Sequence, residues 1–506
     1  MKRQLLFYFV LIASFTLNAQ ISLVKDINDG TGDSNPNDSY TFNGKTYFQA
    51  DDASGVNTGG VDYGDELWVT DGTTGGTMLF KNLNDGASSS QPEGFFEYSG
   101  SLYFSASTAT SGSTGQLFKL NATEDDVVEI TGVPGFTNSC ELGGLIYFVY
   151  EPGPSMDNLL YVFDGTNASP VTNNSIGTLG TEDIINNTAN ISHTRMVAYN
   201  NKIYFVGTMT LDNASGDPNT DVGAELYSYE PATGNFALVK DIAPGSINGS
   251  TPTGGNIACL NVTNGTLYFK ADTSNFLYQT DGTEVGTIPV AAATTEGLDG
   301  VLSLYLWNDK IYFEGDNGST GDQLWVFDPV ADTATQVSNV GDSTTHDPRY
   351  YAGVGADLFY VGRNGSNTDW HVYRLKNGTD WEYIDATESL DCEWLFELNG
   401  KLYFEGDDDA SLVYGTELFV LDPAALSVSS KELVGIAPLF PNPAKDYITV
   451  DKSLLKATYG IYDITGKAVK QGIIESQNLD LNLNTGLYIF KAQTDLGYFV
   501  QKLVIK

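Results

Sequence analysis

Eight times between residues 43 and 404 a turn dipeptide leads into an apolar strand carrying an adjacent aromatic pair, and this repeat constrains the fold more than any other feature. Asn43-Gly44 precedes Tyr47-Phe48, Ser99-Gly100 precedes Tyr103-Phe104, and Gly143-Gly144 precedes Tyr147-Phe148. Asn200-Asn201 precedes Tyr204-Phe205, Asn264-Gly265 precedes Tyr268-Phe269, and Asn308-Asp309 precedes Tyr312-Phe313. Gly355-Ala356 with Phe359-Tyr360 and Asn399-Gly400 with Tyr403-Phe404 complete the series, at a mean spacing near 51 residues. Asn and Gly accept the positive φ that both positions of a two-residue type I′ turn demand, so each copy reads as a β-hairpin. A third strand follows, as in Glu66-Leu67-Trp68-Val69 and Glu225-Leu226-Tyr227-Ser228. A fourth is clearest at Met78 to Asn82 and at Leu238 to Ile242.

Four strands per unit, repeated, with apolar side chains on both faces, describe the blade of a β-propeller. Alternate residues of a strand point to opposite faces, so a run such as Leu102-Tyr103-Phe104 needs cover on both sides, which neighbouring blades supply. The expected fold is therefore all-β: an eight-bladed β-propeller followed by a small Ig-like β-sandwich. Seven blades is the alternative, if the seventh copy packs irregularly. Leu23 to Ile27 copies a fourth strand yet precedes every first strand, while the eighth unit runs out after its third. The N-terminal strand is thus expected to complete the last blade and remove an exposed edge; Lys431 to Val434 is a second possible closing strand.

The two ends differ from the middle. Lys2 and Arg3, then the apolar run Leu5 to Phe15 and small residues before an Ala19/Gln20 cut, have the order of a secretory signal peptide. Residues 439–506 hold eight Lys and six acidic residues, whereas the whole chain carries 25 basic and 64 acidic residues, a net of −39. That break gives the organisation 1–19 signal peptide, 20–423 propeller, 424–438 linker and 439–506 C-terminal domain. Pro441-Asn442-Pro443, Tyr462-Asp463 with Gly466-Lys467, and Gly486-Leu487-Tyr488 resemble, in that order, the type A C-terminal sorting domain of the type IX secretion system of Bacteroidetes. The resemblance implies passage to the periplasm and recognition of the tail by the outer-membrane machinery. The protein would then be secreted or held on the outer cell surface. Glu66 to Thr77, with Asp281 to Thr287, is also similar to the ELWxTDGTxxGT repeats of exported bacterial proteins, which implies the propeller fold and no particular chemistry.

So acidic a chain repels phosphate backbones and anionic lipid, which argues against nucleic-acid partners. No HExxH, GxSxG or P-loop pattern occurs. Cys140, Cys259 and Cys392 read as buried small side chains, and His193, His346 and His371 are far apart in sequence. The candidate ligand residues are acidic positions after the Tyr-Phe strand: Asp51, Asp52, Asp316, Asp407, Asp408 and Asp409, with Ca²⁺ as the cation that carboxylates suit. No catalytic residue is assigned. The sequence points to an exported non-enzymatic propeller binding an extracellular glycan or protein. A propeller-type polysaccharide hydrolase or lyase, and a structural adhesion protein, are the alternatives.

Overall fold

The computed structural model describes residues 21–109, 115–150, 159–172, 174, 180–184, 196–210, 224–244, 246–247, 251–252, 254–272, 274–340, 346–364, 369–408, 413–426, 438–463, 467–494 and 497–506. The expected signal peptide with Ala19 and Gln20, the stretch Lys431 to Val434, and Asp409, Gly466 and His193 lie outside them. The chain divides into two compact units, one of Ile21–Asp422 and one that includes Pro423–Lys506.

Within the first unit the described residues form eight antiparallel sheets of the expected kind, a β-propeller. In the first sheet Asn37–Phe42, Lys45–Asp51, Asp65–Thr70 and Met78–Lys81 lie side by side in chain order. The second (93–134), third (139–170), fifth (258–289), sixth (299–336) and seventh (349–383) repeat that order. In the fourth, the nine-residue strand Lys202–Thr210 takes two partners along one edge, Met196–Tyr199 and Gly180–Ile184. The seventh copy, whose aromatic order is reversed, forms a regular four-stranded sheet. The turn chemistry follows the residues: Asn43 and Gly44 have φ of 49° and 76°, and seven of the eight dipeptides are positive at both positions. At Gly355-Ala356 only the glycine is positive (φ 61°), the pattern of a type II′ turn.

Alternation along the Tyr-Phe strand decides which sheet meets which. Tyr47 packs with Leu102, Phe104 and Phe118 of the second sheet, while Phe48 and Ala50 pack with Val24, Tyr403 and Leu418 of the eighth. Tyr103 in turn joins Ile146, Phe148 and Phe163 of the third. In these copies the Tyr faces the following sheet and the Phe the preceding one; in the seventh the order is reversed, and Tyr360 packs back on Tyr312 of the sixth. Tyr hydroxyls also reach forward: Tyr98 and Tyr199 donate to the carbonyls of Gly144 and Gly265 in the next hairpin turn, at 2.7 and 2.8 Å. A fully buried Phe contributes roughly 1.5–3 kcal/mol, so this packing is the main cohesion between sheets.

The eighth sheet closes as the sequence predicts. Its strands Asp391–Leu398, Lys401–Asp407 and Thr416–Leu421 are completed by Ile21–Lys25, with Ile21 opposite Leu421 and Leu23 opposite Phe419. Side chains fasten the joint. The buried Glu417 carboxylate accepts from the backbone N–H of Ile27 (3.0 Å) and Asn28 (2.9 Å) and from the Ser34 hydroxyl (2.7 Å). Glu66 does the same for Leu83 (2.7 Å), Asn84 (3.2 Å) and Ser90 (2.6 Å). Glu225 does so for Ile242 (3.1 Å) and Ala243 (3.4 Å). The Glu that opens each Glu-Leu-aromatic strand is therefore a buried clamp on the chain entering the next sheet. The TDGTxxGT segment is likewise a self-bonded turn: Thr70 and Thr77 hydroxyls meet at 2.7 Å, and Asp71 accepts from the Thr73 N–H at 2.9 Å. Gly72 (φ 91°) sits under the Tyr403 ring, where a Cβ would come 2.3 Å from the hydroxyl oxygen.

In the second unit six strands are described: Thr458–Asp463, Ala468–Ile473, Gly486–Thr494 and Gly497–Ile505 form one sheet, and Tyr447–Thr449 pairs Asn478–Asp480. They enclose a core of Leu439, Ile448, Ile461, Leu481, Phe490 and Leu503. Among the described residues the opening segment adds two isolated bridges, Phe440 with Thr449 and Ala444 with Ile505.

Two outcomes follow. Glu417→Ala strands two buried N–H groups and a hydroxyl, and at about 1–3 kcal/mol for an unsatisfied group should cost about 3 kcal/mol or more in urea unfolding. Glu417→Gln should cost less. Burial also pushes Glu66 and Glu225 up to about 7 and Glu417 up to about 8, against the hydrogen bonds that lower them. These groups hold protons more tightly folded than unfolded, so their contribution is full at acid pH and is lost as pH rises toward 8. The melting temperature in EDTA should therefore fall between pH 5.5 and 8.5, less steeply in Glu417→Gln; a rise would contradict the assignment.

Candidate functional site

First strands of neighbouring sheets touch one another, as in the pairs 349–354 with 391–398 and 391–398 with 37–42, so these strands surround the axis of the first unit. Six of them carry one extra residue at the same place. The register slips between Asn37 and Tyr40, Glu93 and Phe96, Ala258 and Asn261, Leu302 and Tyr305, Arg349 and Ala352, and Glu393 and Phe396. A bulge of this kind re-aims a side chain and sharpens the local twist. The residue after the slip begins has positive φ each time: Asp38 (44°), Gly94 (62°), Cys259 (59°), Ser303 (52°), Tyr350 (50°) and Trp394 (50°). For Tyr and Trp this conformation is strained by about 1–3 kcal/mol and persists only where the surroundings enforce it.

Those two strained aromatics lie together. Tyr350 and Trp394, half-buried on the inner strands of the seventh and eighth sheets, stand 5.4 Å apart between ring centroids. Beside them, the guanidinium of Arg349 lies 3.2 Å from the centroid of the buried Trp370 ring, and that of Arg363 lies 4.4 Å from it. Arg349 pairs with Glu393 at 3.4 Å, and the Tyr350 hydroxyl donates to the same carboxylate at 3.2 Å. Arg363 pairs with Asp347 at 2.9 Å.

A third group adjoins these. Carboxylate oxygens of Glu314, Asp322 and Asp347 lie within 4.8 Å of one another. Glu314 is pushed up to about 8 by burial, then by Asp322 and Asp347, against the pull of Arg349 and Arg363. Asp322 is pushed up to about 6 by burial, then by Asp347 and Asp316. Glu405, opposite Glu393 in the eighth sheet, is pushed up to about 8 by burial and then by Glu393.

The fully buried His346 sets the spacing. Its Nδ1 donates to the Arg363 carbonyl at 2.7 Å, which leaves Nε2 to accept from the Tyr360 hydroxyl at 3.2 Å. Its backbone N–H reaches the Asp322 carbonyl at 3.2 Å, and its carbonyl accepts from Arg363 at 2.7 Å. Burial lowers the imidazole to about 4, so it is neutral. Gly362 makes room for the ring, since a Cβ there would come 2.5 Å from it.

Of the acidic positions expected from sequence, Asp316 and Asp407 lie near enough to raise Asp322 and Glu405, and the other described ones serve their own loops or strands. Asp52 is buried and holds its own loop, accepting from the Ser54 hydroxyl (2.7 Å) and the Asn57 N–H (2.8 Å). Asp408 is buried and accepts from the N–H of Val413, Tyr414 and Gly415 at 3.0–3.1 Å. Asp316 accepts from Gly318 at 2.7 Å, and Asp407 ends the strand opposite Asp391 and Thr416. Asp51 is half-buried, with one oxygen that no group among the described residues bonds. Glu314, Asp322, Asp347, Arg349, Trp370, Tyr350, Trp394 and Glu393 were not singled out by the sequence. One signal existed: the residue after the aromatic pair is Gln49, Ser105, Val149, Val206, Lys270 or Val361 in the other copies and is acidic only at Glu314 and Glu405. Cys259 and Cys392 are buried and Cys140 half-buried, all three as free thiols. His371 is buried, with Nδ1 3.1 Å from the Thr387 carbonyl oxygen.

In the second unit the motif residues hold the chain together. Asn442 donates through its side-chain amide to the Lys502 carbonyl (2.6 Å) and accepts from the Val504 N–H (3.0 Å), stitching Pro441-Asn442-Pro443 to the last strand. Asp463 exchanges backbone and side-chain bonds with Lys467, and Tyr488 folds over Gly486 while donating to the Asn484 carbonyl at 2.9 Å. Tyr462 lies over Gly460 in the same way.

Residues 438–506 match the family of secretion system C-terminal sorting domains. A tail of that kind marks a protein secreted or carried on the outer surface, and no helix among the described residues is long and apolar enough to cross a membrane. No curated protein matches the sequence. Among solved structures, PorZ, described as an essential bacterial surface component of the type-IX secretion system of Porphyromonas gingivalis, is 11% identical with a TM-score of 0.29. The match covers 92% of this chain and 75% of PorZ. The β-propeller domain of the Trilobed protease from Pyrococcus furiosus is 8% identical, TM-score 0.39, with 66% of this chain and 96% of that one covered. Oligogalacturonate lyase from Vibrio parahaemolyticus is 11% identical, TM-score 0.38, with 64% and 86% covered. No ligand or activity is carried over from any of them.

His346→Ala removes a buried ring and leaves the Arg363 carbonyl with only the longer bond from the Tyr373 hydroxyl at 3.4 Å. Unfolding in urea should show a loss of about 3 kcal/mol. Glu393→Gln, at a half-exposed ion pair, should cost under about 1 kcal/mol.

Proposed function

We propose that this exported protein binds an extracellular glycan, without turning it over, at the inner strands of the sixth to eighth sheets. The observation that carries the reading is the pair Tyr350 and Trp394, two aromatics held in strained backbone on adjacent inner strands. Strain at bulky residues concentrates where function requires a fixed aim. A sugar ring offers an apolar C–H face and a rim of hydroxyls. Flat aromatic rings suit the face, and the Arg349–Glu393 pair supplies both donors and acceptors for the rim. The sorting tail supports an extracellular ligand, and its handling by the type IX machinery is the partner reading for residues 438–506.

A catalytic reading, hydrolysis or lysis of a polysaccharide, draws on one observation. Glu314, pushed up to about 8, would be protonated at neutral pH as a general acid must be.

The purified protein on a glycan microarray should retain a defined glycan class. Trp394→Ala and Tyr350→Ala should each lower retention at least about tenfold, the effect of removing a central aromatic anchor. Phe440→Ala, at an exposed tail position, should not. Release of shortened product from the retained glycan would replace binding by catalysis, and a blank array would overturn the glycan reading.

A further inference from the structure

We propose that Glu314, Asp322 and Asp347 form a divalent-cation site of the all-oxygen kind that suits Ca²⁺, built between the sixth and seventh sheets. The three come from separate places in the chain: Glu314 from the strand Lys310–Asp316, Asp322 from the bridge position directly before Gln323–Asp328, and Asp347 from the segment before Arg349–Val354. Each offers one oxygen, and the three oxygens fall within 4.8 Å of one another. Ca²⁺ takes oxygen ligands at about 2.3–2.6 Å, so opposite ligands of one shell stand about 5 Å apart.

Acidic residues alone would not make a site, but Glu314 is a different kind of observation. Its side chain lies in a residue only 8% exposed, and among the described residues no donor hydrogen-bonds it and no cation pairs with it. A buried carboxylate with no compensating donor costs several kcal/mol unless a cation or a proton accompanies it. It is aimed at two further carboxylates, and Asp322 and Asp347 approach closely enough to share a proton. Asp316 and Asp299 add negative potential around Asp322. Of the cations nearby, Arg363 is held by Asp347 and Arg349 by Glu393, both also stacked on Trp370, and His346 is neutral. An aspartate has two oxygens, so Asp347 can hold Arg363 and an ion together. The geometry is also braced, because His346 bonds the backbone of Asp322 and of Arg363 and so fixes Asp322 beside Asp347.

The site stands apart from the glycan reading and is tested without a glycan. Full-length protein stripped with EDTA, at pH 7.5 and about 0.15 M NaCl to screen its acidic surface, would be titrated with CaCl₂ by calorimetry and followed by thermal unfolding. The expected result is one saturable site per chain and a rise in melting temperature of roughly 3–5 °C at saturating Ca²⁺. Glu314→Gln and Asp322→Asn should lose both, whereas Glu284→Gln, at an exposed position, should keep both. In EDTA, Glu314→Gln should melt at or above the temperature of the unaltered protein, because an amide at that place needs neither a cation nor a bound proton. Absence of saturable heat, an equal Ca²⁺ response in Glu314→Gln, or a lower melting point of that variant in EDTA would each overturn the proposal. The last outcome would mean that a shared proton already satisfies the three acids.

Discussion

A strand that carries Tyr and Phe at adjacent positions must hide two opposite faces at once, and everything else in the propeller unit follows from that demand. The Tyr47 face is covered by the second sheet and the Phe48 face by the eighth. No sheet in such a series can be terminal, since an end sheet would expose one aromatic face to water. The chain resolves this by bringing Ile21–Lys25 to the edge of Thr416–Leu421, across almost 400 positions of sequence. That closure also removes the open strand edge that a series of sheets would otherwise present.

The closure depends on polar groups as much as on apolar ones. Glu66, Glu225 and Glu417 sit at the start of the third strand of their sheets, out of water, and each carboxylate gathers the first N–H groups of the chain leaving toward the next sheet. A main chain leaving a sheet edge has unpaired donors, and burying them without an acceptor would cost about 1–3 kcal/mol apiece. Where the sixth sheet has Gln323 instead, the amide carbonyl takes the same part toward Val340 at 3.0 Å. The role therefore belongs to the acceptor oxygen rather than to the charge. The raised carboxyls of the three glutamates agree with that, because a protonated acid still offers an acceptor.

The inner strands show where a uniform repeat becomes a specific surface. One extra residue in six of them turns successive side chains toward neighbouring inner strands, and the identity of that residue differs from sheet to sheet. In most sheets it is small or polar, as with Gly94 or Ser303; in the seventh and eighth it is Tyr350 and Trp394. The same two sheets, with the sixth, hold the arginines stacked on Trp370 and the three convergent carboxylates. The scaffold thus keeps its hydrophobic rule all the way round while concentrating charge and half-buried aromatics in one arc.

Much of the architecture was legible in the sequence because it rests on local rules. Period-two alternation, paired positive-φ turn residues and a stray fourth strand ahead of the first unit each act within a few residues and are visible in the letters. The tail was legible for the same reason: its Pro-Asn-Pro, Tyr-Asp and Gly-x-Tyr segments are short contiguous motifs. The acidic positions chosen from sequence were clusters of neighbours, and Asp52 and Asp408 turned out to hold their own loops. The site instead joins Glu314, Asp322, Asp347, Arg349, Trp370 and Trp394, residues 80 positions apart at the extremes. Their meeting is set by sheet-to-sheet packing and by bulges that only pairing register reveals. Sequence alone therefore determined the repeating sheet, its need for neighbours and the sorting tail. Tertiary structure decided which side chains share a place, because carboxylates and aromatics interact through space while the sequence records only their separation along the chain.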